Sequence, residues 1–181
     1  QKELKDSSLK LISDGCNWGL ACNAIHVIDL FCFLKEDTKL TFYMDELDKK
    51  LYDAKRSGFI EFRGKIKIRN SKNDELIMED SDNFDYFQKF KYLSSKFEYF
   101  VDEKENKILK KTLNQFEKEY THPFPYQSQI TGMYIEQLSY FGTCDLVSFN
   151  ECKKYHIQML DAFNEFISKI TNGRNLLCPI T

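Results

Sequence analysis

The sequence predicts a mainly α fold of the α+β type: one helix-rich domain over residues 1–181, with a small β-hairpin, a buried central helix and a long C-terminal helix. Three observations carry this expectation. Glycine and proline are scarce, at seven and three, which disfavours an all-β chain full of tight turns. The run at 18–34 is apolar on nearly every side, as in a helix buried at the centre of a domain. The run at 149–171 places Phe149, Cys152, His156, Met159, Phe163 and Ile167 on one helical stripe.

The elements are justified in order. Residues 1–12 read as a short polar helix and Asp14-Gly15 as a turn. After the buried helix, 35–39 is a solvated linker. Met44, Leu47, Leu51 and Ala54 fall at helical spacing, so 42–57 reads as an amphipathic helix, with Gly58 as its left-handed cap. Phe62, Ile66 and Ile68 share a parity, and Leu76-Ile77-Met78 reads as the return strand of a hairpin near 59–78. Asp80–Asn83 reads as an acidic helix start. The stretch 84–101 is divided: its first half suits a helix and its second half a strand, with a turn at 103–106. Leu109, Leu113, Phe116 and Tyr120 predict a helix over 108–120. Two of the three prolines stiffen the connection at 121–126. A helix over 128–141 follows. Ser148 is placed to N-cap the last helix, and Asn172-Gly173 to end it. The tail is too short to fold alone, so Cys178 is expected to pin it.

Charge is balanced, with 26 basic against 28 acidic residues, so no electrostatic footprint for nucleic acid is present. The longest apolar run is interrupted by His26 and Asp29 and is too short to span a bilayer. The chain starts at Gln1, which admits a removed signal peptide. No Asn-x-Ser/Thr sequon is present.

The six cysteines fall into two clusters, Cys16, Cys22 and Cys32 near the start and Cys144, Cys152 and Cys178 near the end. In an oxidising compartment they read as up to three disulfides tying the ends together. A second reading is metal. Cys22–His26 and Cys152–His156 are each spaced by one helical turn, so two facing helices would offer two thiolates and two imidazoles, a tetrahedral zinc set.

A third reading concerns Cys16. It follows Asp14-Gly15 and opens the buried helix, where a helix N-terminus favours thiolate. The segment DGCNWGLACNAIHVI resembles the nucleophile segment of papain-like and C39-type cysteine peptidases. The resemblance implies a hydrolase, or an inactive relative, with Cys16 as nucleophile. At the place of the histidine strand, KFEYFVDEKENKI carries Glu98 instead of histidine.

Lys49, Lys50, Lys55, Arg56, Arg63, Lys65, Lys67 and Arg69 suggest a winged helix, but only one helix has room before the hairpin, so a solvated face is the expectation. The aromatics at 84–100 suit core packing better than a pocket. The function expected is a secreted, disulfide-stabilised, non-enzymatic binding protein for a protein partner or an apolar ligand, with no cofactor. The alternatives are an intracellular zinc protein and the cysteine hydrolase.

Overall fold

The computed structural model describes residues 7–112, 117–125, 127–173 and 177–180. It is an α/β fold built on a mixed sheet of eight strands. In chain order the elements are β1 (Lys10–Gly15), α1 (Leu20–Lys35), β2 (Leu40–Leu47), β3 (Tyr52–Asp53), β4 (Ile60–Glu61), β5 (Gly64–Asn70), β6 (Glu75–Asp80), β7 (Lys89–Leu93), β8 (Phe97–Asp102), β9 (Lys107–Thr112), β10 (Glu117–Thr121), α2 (Gln127–Phe141) and α3 (Phe149–Thr171). The sheet order is β10-β9-β8-β7-β1-β6-β5-β2, and β3 pairs with β4 in a separate small ribbon. Among the described residues only β1 and β6 run parallel; the other pairs are antiparallel.

Alternation sets the two faces of the sheet. Leu11, Ile66, Ile68, Leu76 and Met78 are fully buried on one face, under α1 and α3. The residues between them point the other way and form a charged lattice. There Arg69 pairs with Glu75 at 2.7 Å, Lys65 with Glu79 at 3.5 Å and Lys91 with Asp14 at 2.6 Å. Helices α1 and α3 pack on each other, and the Tyr155 hydroxyl donates to Asp29 between them. Phe62 meets Phe163 and Phe166 edge-on, at 5.0 and 5.3 Å between ring centroids, and joins α3 to the sheet. Buried Lys35 closes the end of α1: its ammonium donates to the Ser7 carbonyl at 2.6 Å and pairs with Asp74 at 3.4 Å.

The mainly α expectation is overturned by this sheet. The helix expected over 42–57 is β2, a loop and β3. The reason is a β-bulge: Tyr43 faces Lys67 and Glu46 faces Lys65, so Met44 and Asp45 together oppose Ile66. The extra residue separates the inward-leaning Met44 and Leu47 by three positions, which mimics one helical turn. Gly58 does take a positive φ of 86°, but between β3 and β4. The helix expected over 108–120 is β9 and β10, with Leu113 and Phe116 outside the described residues. Its charges pair across strands instead, Lys107 with Glu119 and Lys111 with Glu117. The first half of 84–101 is a loop and β7, while Asp80 ends β6 and 81–83 is a turn. The expected helix at 1–12 falls partly outside the described residues, and Lys10 onward is strand β1.

The hairpin β5–β6 and helices α2 and α3 lie at their expected places. Ser148 N-caps α3 in a full capping box, its hydroxyl taking the Glu151 amide and donating to the Glu151 carboxylate at 2.7 Å. The tail is held without a cross-link: the Ile60 amide donates to the Pro179 carbonyl at 2.8 Å, and Ile180 packs on the core.

Candidate active site

Because β1 and β6 are parallel, both end at the same edge of the sheet, with Gly15 beside Asp80. The chain turns there through 16–19 into α1. Gly15 is obligatory, since a Cβ would lie 1.9 Å from the Phe87 carbonyl oxygen. The turn wraps the Asp80 carboxylate, which accepts from the amides of Asn17 at 2.8 Å, Trp18 at 3.0 Å and Gly19 at 3.2 Å. Gly19, the N-cap of α1 at φ 80°, has no side chain to cap with. Glu61 does so from β4, accepting from the amides of Ala21 at 2.7 Å and Cys22 at 3.2 Å. A carboxylate at this pole of the helix also meets the positive end of its dipole. Burial is the largest influence on Glu61 and pushes its carboxyl above the ordinary range, against the pull of these amides.

A cleft of about 550 Å³ opens over this turn, lined by Trp18, Cys22, Asn23, Tyr52, Glu61 and Arg63 among others. A smaller hollow of about 260 Å³ adjoins it and shares Tyr52, Arg63 and Asp80. Arg63 donates to Asp82 at 2.7 Å and to the Asn17 side-chain oxygen, and it lies 5.0 Å from the centroid of the Tyr52 ring. The Tyr52 hydroxyl donates to Asp48 at 2.6 Å. A larger groove of about 670 Å³ between β2 and α3 is lined by Phe42, Met44 and Phe166 with the Glu165–Lys169 pair at its rim, and has fewer convergent polar groups.

None of the six cysteines is joined in a disulfide. Cys16 lies in the turn ahead of α1 and not on the helix. Its thiol approaches Asp82 at 3.6 Å, and desolvation followed by Asp82 raises its pKa, the opposite of what a nucleophile needs. Cys32 is buried in the core and pushed up to about 12, by burial first and then by Asp29 and Asp37. Burial pushes Cys178 up to about 11. Cys144 sits between α2 and α3. Cys22 and His26 share a face of α1, and Cys152 and His156 a face of α3, but no three of His, Cys, Asp and Glu come together for a metal among the described residues. No helix among those residues is long and apolar enough to cross a membrane. Sequence reasoning missed Asp80, Glu61, Arg63 and Tyr52. Their roles follow from strand order, and no local spacing announces them.

No protein-family model matches the sequence, and no curated protein matches it. Solved structures do. UDP-N-acetylglucosamine 3-dehydrogenase GnnA from Acidithiobacillus ferrooxidans is similar over 84% of this chain and 50% of its own, at 6% identity and a TM-score of 0.61. The 3-ketoreductase KijD10 from Actinomadura kijaniata, solved with TDP-benzene and NADP, is similar over 96% and 55%, at 10% identity and 0.55. A candidate oxidoreductase from Bacteroides fragilis is similar over 97% and 57%, at 15% identity and 0.55. The chain therefore spans about half the length of these proteins and shares their α/β fold. The shared α/β fold and the absence of disulfides overturn the expectation of a secreted, disulfide-stabilised, non-enzymatic helical binder, which rested on a helical fold and cross-linked cysteines.

The NADP of KijD10 prompts a test of fit. A dinucleotide's pyrophosphate takes the free amides of a Gly-rich strand-to-helix turn. The turn after β1 is such a junction, but the sequence carries no Gly-x-Gly-x-x-Gly there. Its amides are already held by Asp80 and Glu61, whose charge repels phosphate. The β1–α1 turn does not fit the dinucleotide.

Proposed function

We propose that this chain is the substrate-side half of an oxidoreductase acting on a hydroxyl or keto carbon of a sugar-type substrate. The observation that supports it most is the polar cleft at the carboxyl ends of the parallel strands β1 and β6. Ligands of open α/β sheets sit outside such strand ends. Asn23, Tyr52 and Arg63 offer amide, phenol and guanidinium groups to hydroxyl oxygens, and the Trp18 indole stiffens the floor by donating to the Glu79 carbonyl at 2.9 Å.

Oxidising a secondary alcohol takes a hydride from its carbon and a proton from its oxygen; reducing the ketone returns both. We assign the proton to His26. It lies one turn beyond the cleft-lining Cys22 on the same face of α1, and its ring is exposed. The nicotinamide partner is bound away from the β1–α1 turn.

The test follows nicotinamide absorbance with the full-length protein, NADP or NAD, and a panel of free and nucleotide-linked sugars. Turnover is expected, and His26→Ala should lower kcat by about 10²–10⁴-fold, the usual worth of a positioned acid–base group, with an unchanged melting temperature. No turnover across the panel, or full turnover in His26→Ala, would sink the reading.

A further inference from the structure

The β3–β4 ribbon carries a basic tip that nothing in the fold uses. Lys55 and Arg56 are exposed, yet both line the 550 Å³ cleft. Among the described residues their side chains make no hydrogen bond or ion pair. Elsewhere on the sheet Lys65, Arg69, Lys89 and Lys91 each hold a carboxylate within 4 Å. The ribbon is anchored at its base, where the Ala54 amide meets the Phe59 carbonyl at 3.0 Å and the Ile60 amide meets Pro179. At its tip Gly58 takes a positive φ, and a Cβ there would meet nothing within 4 Å. Lys50 and Arg63 each sit 5.0 Å from the Tyr52 ring centroid, so two further cations border the same aromatic.

The amides of the β1–α1 turn are filled by Asp80 and Glu61, so an anionic ligand is excluded from that side of the cleft. The same cleft is also lined by Lys55 and Arg56, whose side chains have no carboxylate partner among the described residues. From this asymmetry we infer that Lys55 and Arg56 form a diphosphate-binding flap, which holds the phosphates of a ligand whose remaining part lies in the cleft. An arginine fork and a lysine point charge are the usual pair for phosphate oxygens. The inference rests on the cleft of the proposed function and names the charged part of its ligand. The same chemistry is presented by a nucleotide-linked sugar and by a dinucleotide cofactor.

Calorimetry on the full-length protein separates the two. The probes are uridine diphosphate, UDP-N-acetylglucosamine and NADP, titrated into wild type and a Lys55→Ala/Arg56→Ala double variant. Both positions are exposed, so the variant should melt with wild type. The expected result is binding of the uridine nucleotides that weakens at least tenfold in the variant and also weakens with added salt. NADP binding with the same dependence assigns the flap to the cofactor instead. If no probe binds, or binding is equal in the double variant, the flap is overturned. Binding needs no turnover, so failure of the oxidoreductase reading is seen separately, as flap-dependent binding with no turnover of the sugar panel.

Discussion

At the scale of the residue, two carboxylates organise the site by gathering backbone amides. Asp80 and Glu61 take five amides between them, from Asn17 to Cys22, and fix where α1 begins. Glu61 sets a dependence on pH. Its folded carboxyl titrates above its ordinary value of 4.5, chiefly because of burial. Between the ordinary and the raised value the folded state therefore binds more protons than the unfolded chain. The contribution of Glu61 to stability is then present below the ordinary value and lost as pH rises through the raised one. Urea midpoints of wild type minus Glu61→Gln, measured across mildly acidic to neutral pH, should fall as pH rises. A flat or rising difference would refute this assignment. The sequence contained these residues but not their partners. Asp80 looked like the start of an acidic helix, because an acidic run before aromatics suits a helix N-terminus. Its amide partners lie more than sixty residues earlier in the chain.

At the scale of the element, legibility tracked how local the deciding interactions are. Helix α3 was readable end to end, since its cap is a serine and a glutamate three positions apart and its stop is Asn172 in the left-handed region at φ 52°. Ser148→Ala removes an acceptor from that cap and should cost about 1 kcal/mol. Denaturant unfolding checks it, and fraying of the first turn should show as lost protection at the Glu151 amide. The hairpin β5–β6 was readable from its parity and its turn. Strands β2, β9 and β10 were not. The bulge in β2 hides its period of two, and lysine and glutamate favour helix locally while cross-strand pairing decides otherwise. The site was legible only in part: Cys22 stands out for its spacing to His26, whereas the cleft that Cys22 lines depends on β4 and β6 arriving beside α1.

At the scale of the whole molecule, one side chain ties the helix layer to the small ribbon. Phe62 is 1% exposed and inserts between Phe163 and Phe166, directly after Glu61. Phe62→Ala should cost about 3–5 kcal/mol, read as a lower denaturation midpoint, and should loosen ligand binding because Glu61 and Arg63 flank it in sequence. A Phe62→Leu variant keeps most of the volume and should recover most of the stability. Little loss in Phe62→Ala would mean that the contacts of α3 with α1 and β2 suffice to hold it.

The position of β1 has a further consequence, in time instead of space. It precedes the other described strands in the chain, yet it lies in the middle of the sheet, between β6 and β7. On one side β7 to β10 is a succession of near-neighbour hairpins, and on the other β6 and β5 pair directly and β2 joins them. Each of these sets closes short loops and can form early, while β1 must wait for partners that emerge from the ribosome long after it. The last step is then the insertion of an already synthesised strand into a slot between two preformed sheets. The same step brings Gly15 beside Asp80 and starts α1, so the cleft exists only once β1 is seated between β6 and β7.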